Sequence, residues 1–220
     1  NAQVKDPKAK DEEAMVAVND LDGLMALVQS ATLEIHPWGS TVADWDRPDT
    51  ITMDLDPGEE VAWGAIIAAA EEVRQRLQDA GLAAFVKTSG GKGLHVVVPL
   101  SPGCDWDLTK RFAKGFADAL AQSEPQRFLA TATKALRNKR IFVDYLRNGR
   151  GATAVASYSL RGRPGAPVAM PLAWSELAKL KRADAFTIKD VPGKLKRRRK
   201  DPWEGIDALK QNLSKWARND

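Results

Sequence analysis

The segment Ile51–Asp56 constrains the fold more than any other part of the chain. Its apolar side chains stand at every second position and alternate with a threonine and two aspartates. Successive side chains of a strand point to opposite faces of a sheet, so the pattern predicts a strand with one buried face and one acidic face. Pro57 and Gly58 end this strand. Asp54 and Asp56 then share a face, roughly 6 to 7 Å apart.

Strand and helix patterns are interspersed along the rest of the sequence, which predicts a mixed α/β (α+β) fold. We expect a hairpin at 84–100, where two apolar strands flank a Gly-Gly-Lys-Gly turn, and further strands at 141–146 and 152–158. We expect helices behind an Asp20 cap, over about 60–80, 107–122, 123–136 and 175–180, and in a last amphipathic segment with Ile206, Leu209, Leu213 and Trp216 on one face.

Length and cysteine content limit the class of protein. A chain of 220 residues has room for one domain or at most two. No apolar run approaches the roughly 18 residues that span a bilayer, and the first residues contain no hydrophobic signal core, so we expect neither a membrane nor a secreted protein. The single cysteine, Cys104, excludes an internal disulfide framework and a thiolate zinc cluster. These features favour a cytoplasmic protein.

Charge is segregated along the chain, although the net charge is only +4. Residues 1–60 hold 4 bases and 14 acids, whereas residues 127–163 hold 9 bases and one acid, Asp144. Six of the seven residues in 194–200 are basic. This asymmetry favours a partner made of phosphates, although the run at 194–200 is by itself more typical of a solvated tail.

The pair Asp54 and Asp56 is the first candidate for chemistry. Two carboxylates this close repel each other unless a cation holds them, and their oxygens suit Mg²⁺ or Mn²⁺. The alternative is a polar strand end that caps the next helix. Asp144 favours the metal site, because three strand aspartates match the needs of two-metal phosphoryl transfer. It is either the third ligand or the ion-pair partner of Arg137, Arg140 or Arg147.

The turn at 89–93 is a candidate phosphate site. Its glycines allow successive amides to surround an anion, and Lys92 adds a positive charge. Taken alone, the turn is better explained as a flexible hairpin connection. If the hairpin pairs across this turn, Ser89 and His95 lie close together and both can donate to a phosphate oxygen. A single strand histidine is more often structural, and only the neighbours of His95 weigh against that reading.

Taken together, these motifs resemble the polymerase domain of bacterial ATP-dependent DNA ligase D, in the archaeo-eukaryotic primase superfamily. The resemblance covers most of the chain from about Leu21 onward. It rests on EIHPWGS at 34–40, ITMDLDP at 51–57, FVKTSGGKGLHVVVPL at 85–100, the block at 141–174 and DPW at 201–203. It implies a primase-polymerase catalytic core with an RNA-recognition-motif-like sheet flanked by helices. Such a core would span 20–190, after an extended or disordered lead-in at 1–19 and before a basic segment and C-terminal helix, packed on the core, at 191–220.

The resemblance also implies an activity and its site. Members of the family are nucleotidyltransferases that fill gaps and add ribonucleotides or deoxyribonucleotides to broken DNA ends during non-homologous end joining. Two Mn²⁺ (or Mg²⁺) ions would be held by the three catalytic aspartates, Asp54, Asp56 and Asp144. Arg137 matches a loop arginine that arranges the primer terminus. The residues that match nucleotide contacts are His36, Ser89, Lys92, His95 and Arg161.

Partners and rival functions follow from the same comparison. The resemblance implies DNA ends with gaps or overhangs, NTP or dNTP substrates, Ku and the ligase module of ligase D as partners, in the cytoplasm with the nucleoid. Upstream of the EIHPW block, family domains carry lysines for a 5′-phosphate and aromatic residues for the templating base. We expect that part of the domain to lie outside this sequence. The alternatives are a metal-dependent nuclease and a catalytically impaired, truncated core that binds DNA or NTP as a scaffold.

Overall fold

The computed structural model describes residues 2–8, 14–101 and 103–217. Two short strands, β1 (Ala2–Lys5) and β2 (Ala14–Ala17), pair antiparallel as a separate sheet and precede helix α1 (Leu21–Gln29). The remaining elements, in chain order, are β3 (Thr50–Pro57), α2 (Trp63–Asp79), β4 (Phe85–Thr88), β5 (Leu94–Pro99), α3 (Trp106–Ser123), β6 (Phe128–Leu129), β7 (Ile141–Asp144), β8 (Pro171–Leu172) and α4 (Val191–Arg197). This confirms the predicted mixed α/β class.

The central sheet has six strands in the order β6-β7-β3-β5-β4-β8. Its neighbouring strands are antiparallel except for β6 and β7, which are parallel. β3 lies in the middle and pairs with both β5 and β7. The predicted strand at 51–56 and the predicted hairpin at 84–100 are therefore confirmed, and they are neighbours in the sheet.

One face of this sheet forms the core with α2 and α3. The alternate residues of β3, such as Met53 and Leu55, are fully buried against apolar residues of the two helices. α3 begins at an Asp105 cap, whose carboxylate accepts a hydrogen bond from the Leu108 amide at 2.7 Å. Apolar residues at helical spacing, including Phe112 and Leu120, then face the sheet. The polar residues of β3 are left on the opposite face.

The predicted helix at 123–136 is wrong. α3 ends at Ser123, and Phe128 and Leu129 extend to pair with β7, where the Phe128 side chain is 1% exposed. Only 134–136 forms a short 3₁₀ turn. Strand pairing and burial of Phe128 outweigh the local helical pattern.

The predicted strand at 152–158 is also wrong. This segment runs beside the EIHPW segment, while the outer edge of β4 is paired with β8. Trp38 and Thr153 form an isolated bridge, and the Ala156 amide donates to the Ile35 carbonyl at 2.8 Å. The segment thereby forms a wall over the polar face of the sheet.

The C-terminal region packs on the core, but the predicted last α-helix is wrong. It contains 3₁₀ turns at 206–208 and 214–216, with Leu213 fully buried and Trp216 against Phe112 at 4.9 Å between ring centroids. Gln211 donates to the carbonyls of Ala83 and Pro99, which holds the chain extended between the turns.

The division into three regions stays a prediction, and residues 1, 9–13 and 218–220 of its end regions lie outside the described residues. Among the described residues, no helix is both long and apolar enough to cross a membrane.

Candidate active site

A row of four polar side chains crosses the central sheet on the face turned away from α2 and α3. We call this set the polar row; its members pair across adjacent strands β4, β5, β3 and β7, in the order Lys87, His95, Asp54 and Asp144. Neighbouring strands lie about 4.8 Å apart, so each side chain stands beside the next. Strand alternation and antiparallel register together bring charges from three distant segments into one line.

Asp54 and Asp144 face each other at one end of the polar row. Arg147, just after β7, lies between them, with Nε 3.6 Å from Asp54 Oδ2 and 3.3 Å from Asp144 Oδ2. Burial, and after it the nearby charge of Asp144, raises the pKa of Asp54 to about 7. The ion pair of Asp144 with Arg147 was one of its two predicted roles; the other, as a third metal ligand beside Asp54 and Asp56, stays a prediction.

His95 is the most buried member of the row. Its Nε2 lies 3.5 Å from Asp54 Oδ1, and its Nδ1 has no hydrogen-bond partner among the described residues. Burial holds the pKa of His95 well below its ordinary value, so the ring is neutral. The structure thus places His95 beside a carboxylate. Its contact with a phosphate stays a prediction.

Lys87 was missed by the sequence analysis. Its side chain is buried and its Nζ donates to the Val155 carbonyl, in the wall that covers the sheet. Burial lowers the pKa of Lys87 to about 8. The register of the hairpin could have identified Lys87, because it places position 87 opposite His95 and therefore on the polar face of the sheet.

Asp56 and Arg137 form an ion pair at the end of β3. Arg137 Nη1 donates to Asp56 Oδ2, Nη2 donates to the Ala132 carbonyl at 2.7 Å, and the guanidinium stacks over Phe142 at 4.4 Å. The structure therefore brings the predicted loop arginine to the predicted metal ligand. It also turns the Asp56 carboxylate toward Arg137.

The turn at 89–93 is organised by its own serine. The Ser89 hydroxyl oxygen accepts hydrogen bonds from the amides of Gly91 and Gly93, both at 3.2 Å, and donates to the Gly93 carbonyl at 3.0 Å. Two amides thus converge on one oxygen, as the predicted anion site requires, but the oxygen is that of Ser89. Lys92 is exposed at the tip of the turn.

A cavity of about 200 Å³ lies between the polar row, this turn and the wall. Seven of the nine predicted site residues line this cavity. The other two, Asp144 and Arg137, form ion pairs with the lining residues Arg147 and Asp56. The lining residues are His36, Asp54, Asp56, Ser89, Gly91, Lys92, Gly93, His95, Arg147, Thr153, Ala154, Val155, Arg161 and Arg163.

Two of these lining residues are held by Glu34, which the sequence analysis did not single out. The Glu34 carboxylate accepts hydrogen bonds from His36 Nε2 at 2.7 Å and from Arg161 Nε at 3.0 Å. Hydrogen bonds from His36 and from the Gly162 amide lower the pKa of Glu34 to about 2. Its position two residues before His36, in the same motif, could have identified Glu34 as a partner of that histidine.

Asn148 was missed as well. Its side-chain amide, which is buried, accepts from the Thr52 amide at 2.7 Å and donates to the Thr52 carbonyl at 2.9 Å. It ties the loop that carries Arg147 to β3. An isolated asparagine in a loop offers no sequence signal for such a role.

The donor chemistry of the site fits a divalent cation. Asp54 and Asp144 present hard carboxylate oxygens to each other, which are the ligands that such a cation prefers. Two carboxylates this close need a positive charge nearby, and in this structure the Arg147 guanidinium supplies one. Among the described residues, no three carboxylate, histidine or cysteine side chains are already grouped as metal ligands. Asp56 contacts Arg137 instead.

Comparisons with known proteins identify the family of this chain. A family model described as the LigD primase-polymerase domain matches residues 1–203. The multifunctional non-homologous end joining protein LigD of Pseudomonas aeruginosa is 38% identical over 201 residues, which cover 91% of this chain and 24% of that protein. The bifunctional non-homologous end joining protein LigD of Bacillus subtilis is 30% identical over 183 residues, which cover 83% of this chain and 30% of that protein. The chain thus spans less than a third of the length of these relatives.

A solved structure matches as well. The polymerase domain of Mycobacterium tuberculosis ligase D, in complex with DNA, superposes with a TM-score of 0.86 at 31% identity, covering 96% of this chain and 75% of that one. The sequence and the fold therefore lead to the same conclusion, and this chain belongs to the family of LigD primase-polymerase domains.

Proposed function

We propose that this domain is a nucleotidyltransferase that extends DNA ends with nucleotides during bacterial non-homologous end joining. The observation that carries the proposal is the pair Asp54 and Asp144, which face each other beside a cavity that is also lined by basic side chains. Carboxylates and cations around one cavity suit a substrate that bears both metal ions and phosphates.

The reaction joins a primer 3′-hydroxyl to the α-phosphorus of a nucleoside triphosphate. A bond forms between the 3′-oxygen and the α-phosphorus, the bond from that phosphorus to the bridging oxygen breaks, and pyrophosphate leaves; the hydroxyl proton passes to water. Asp54, Asp56 and Asp144 would hold two Mn²⁺ or Mg²⁺ ions. When bound there, such ions lower the pKa of the hydroxyl and neutralise charge on the leaving group.

The chain's own cations would bind the triphosphate. Arg161 and Lys92 supply positive charge to the lining of the cavity, and His36 shares the Glu34 carboxylate with Arg161. Ser89 keeps the turn that carries Lys92 in place through its hydrogen bonds to the glycine amides. We assign His95 to the same substrate, next to Asp54. Arg137 would orient the primer terminus.

The proposed DNA substrate is an end with a gap or an overhang. The structural relative from Mycobacterium tuberculosis is in complex with DNA, and the sequence relatives are end-joining proteins. We therefore propose the ligase module of a LigD protein and Ku as partners, and the nucleoid as the place of action.

Primer extension tests this function. We expect a labelled primer on a gapped template to grow with ribonucleotides and Mn²⁺, and growth to vanish in Asp54→Ala and Asp144→Ala. Asp118→Ala is the matched control, because the ion-pair partner of Asp118 among the described residues is Lys114, within α3. Continued synthesis in both active-site variants would overturn the proposal.

The two rivals give different results in the same assay. A metal-dependent nuclease would shorten the labelled strand when Mn²⁺ is present and nucleotides are omitted. A scaffold would bind nucleotide tightly but would not extend the primer with either metal ion.

A further inference from the structure

Glu34 bonds to two side chains that line the cavity of the proposed nucleotide site, His36 and Arg161. Its Oε2 accepts from His36 Nε2 and from Arg161 Nε, at 2.7 and 3.0 Å, and its Oε1 accepts from the Gly162 amide at 2.7 Å. Three donors therefore converge on one carboxylate. Glu34 itself does not line the cavity.

We propose that Glu34 is a positioning residue for nucleotide binding, which holds the imidazole of His36 and the guanidinium of Arg161 in one arrangement before the substrate arrives. The inference rests on the proposed function, because it assigns a role toward the nucleotide. It concerns a residue that acts through two others rather than one that touches the substrate.

The contact determines which nitrogen of His36 carries the proton. An ionised carboxylate can only accept hydrogen bonds, so Nε2 must donate to it. The low pKa of Glu34, about 2, keeps the carboxylate ionised at neutral pH. In the neutral ring Nδ1 is then an acceptor, so the nitrogen left to meet the nucleotide can take a hydrogen bond from a hydroxyl group but not from a phosphate oxygen, which has no proton to donate.

Arg161 is fixed at two points. Nε donates to Glu34, and Nη1 donates to the Ser89 carbonyl at 2.8 Å. The guanidinium is planar, so these two bonds set its orientation and leave Nη2 for a phosphate oxygen. Because one bond goes to the EIHPW segment and the other to the turn at 89–93, Arg161 also joins these two segments.

Charge alone predicts the opposite effect of Glu34. A carboxylate beside a triphosphate site repels the ligand, so its removal would strengthen binding. Positioning predicts weaker binding, because free side chains must be ordered when the nucleotide binds. The sign of the change in affinity therefore separates the two explanations.

Glu34→Gln is the informative variant. An amide has one acceptor oxygen where the carboxylate has two, so it cannot accept from all three donors and presents its own N–H₂ group to one of them. Glu72→Gln is the matched control, because Glu72 also pairs with an arginine, Arg76 Nε at 2.6 Å, but within α2.

We would measure three quantities on the full chain. The first is KM and kcat for extension with a ribonucleoside triphosphate and Mn²⁺. The second is the equilibrium dissociation constant of the same Mn²⁺–nucleotide without DNA. The third is the imidazole ¹⁵N spectrum at pH 9, which is simple to assign because the chain has only two histidines.

For Glu34→Gln we expect KM and the dissociation constant to rise on the order of 10-fold with kcat nearly unchanged, and His36 to lose its dominant Nε2–H form. Glu72→Gln should leave all three quantities as in the wild-type protein. Unchanged or tighter nucleotide binding in Glu34→Gln, or an unchanged His36 spectrum, would overturn the inference. If the wild-type protein fails to extend primers, the proposed function fails, while the binding constant and the spectrum still decide the role of Glu34.

Discussion

A single methyl group added at Gly93 should push the turn at 89–93 away from Asp54 and Asp56. The Cα of Gly93 packs directly on the backbone of β3, and a Cβ there would lie 2.0 Å from the Leu55 carbonyl oxygen and 3.0 Å from its carbon. Ordinary contacts begin at 3.4 Å, so turn and strand must move apart by roughly 1 Å or more. Leu55 stands between Asp54 and Asp56, and Lys92 precedes Gly93, so the displacement falls on the site itself.

The magnitude follows from geometry. A misplacement of about 1 Å between reacting groups costs on the order of 100-fold in rate, so we expect Gly93→Ala to lower kcat/KM for primer extension by about that factor. Overpacking also costs about 1 to 3 kcal/mol of the free energy of unfolding. In a chain of this size each kcal/mol corresponds to a fall in Tm of roughly 2 to 4 °C.

Gly64→Ala provides the matched control. Nothing lies within 4 Å of a Cβ at Gly64, in the first turn of α2. We expect it to raise the free energy of unfolding by up to about 1 kcal/mol, because alanine favours a helix, and to leave extension unchanged. Kinetics and thermal melting followed by circular dichroism measure both effects. A Gly93→Ala protein with wild-type kcat/KM and Tm would refute the reasoning.

Further predictions concern the polar face of the sheet. Lys87 has a pKa of about 8 in the folded chain and an ordinary value of 10.5 when unfolded, so the unfolded state binds more protons between these pH values. Between pH 8 and 10.5 the free energy of unfolding should therefore rise by up to about 3 kcal/mol more in the wild-type protein than in Lys87→Met. Urea titrations at several pH values measure this difference. An equal dependence on pH in the two proteins would contradict the burial of this charge. Asn148→Ala leaves the amide and carbonyl of Thr52 without these partners and should cost about 2 to 4 kcal/mol in the same titrations. A loss below about 0.5 kcal/mol would show that the bonds contribute little.

Local patterns predicted most of the elements that position the site. Alternation in β3 and β5 placed Asp54, Asp56 and His95 on the polar side because each strand has one apolar face that must be buried. The hairpin at 84–100 was visible because its turn chemistry and both strands are adjacent in sequence. The site residues and their roles stay predictions, since only activity measurements test them.

The errors and omissions involve contacts between distant segments. Phe128 extends because β7 is available beside it, which no feature of 123–136 reports. Glu34 bonds to Arg161, 127 positions later, and Lys87 bonds to Val155, 68 positions later. Such pairs depend on how distant segments fold over the sheet, so the sequence analysis singled out seven residues that line the cavity but not Glu34 and Lys87, which bond to lining residues.

The polar row has a consequence for how this domain tolerates changes of length. Its four members meet only because β4, β5, β3 and β7 keep one register, and in a strand a shift by one residue moves every side chain to the other face. Deleting one residue early in β3 would turn Asp54 toward α2 and α3 and bring a leucine or a methionine to the cavity. Insertions and deletions in these strands should therefore abolish activity as completely as the loss of an aspartate.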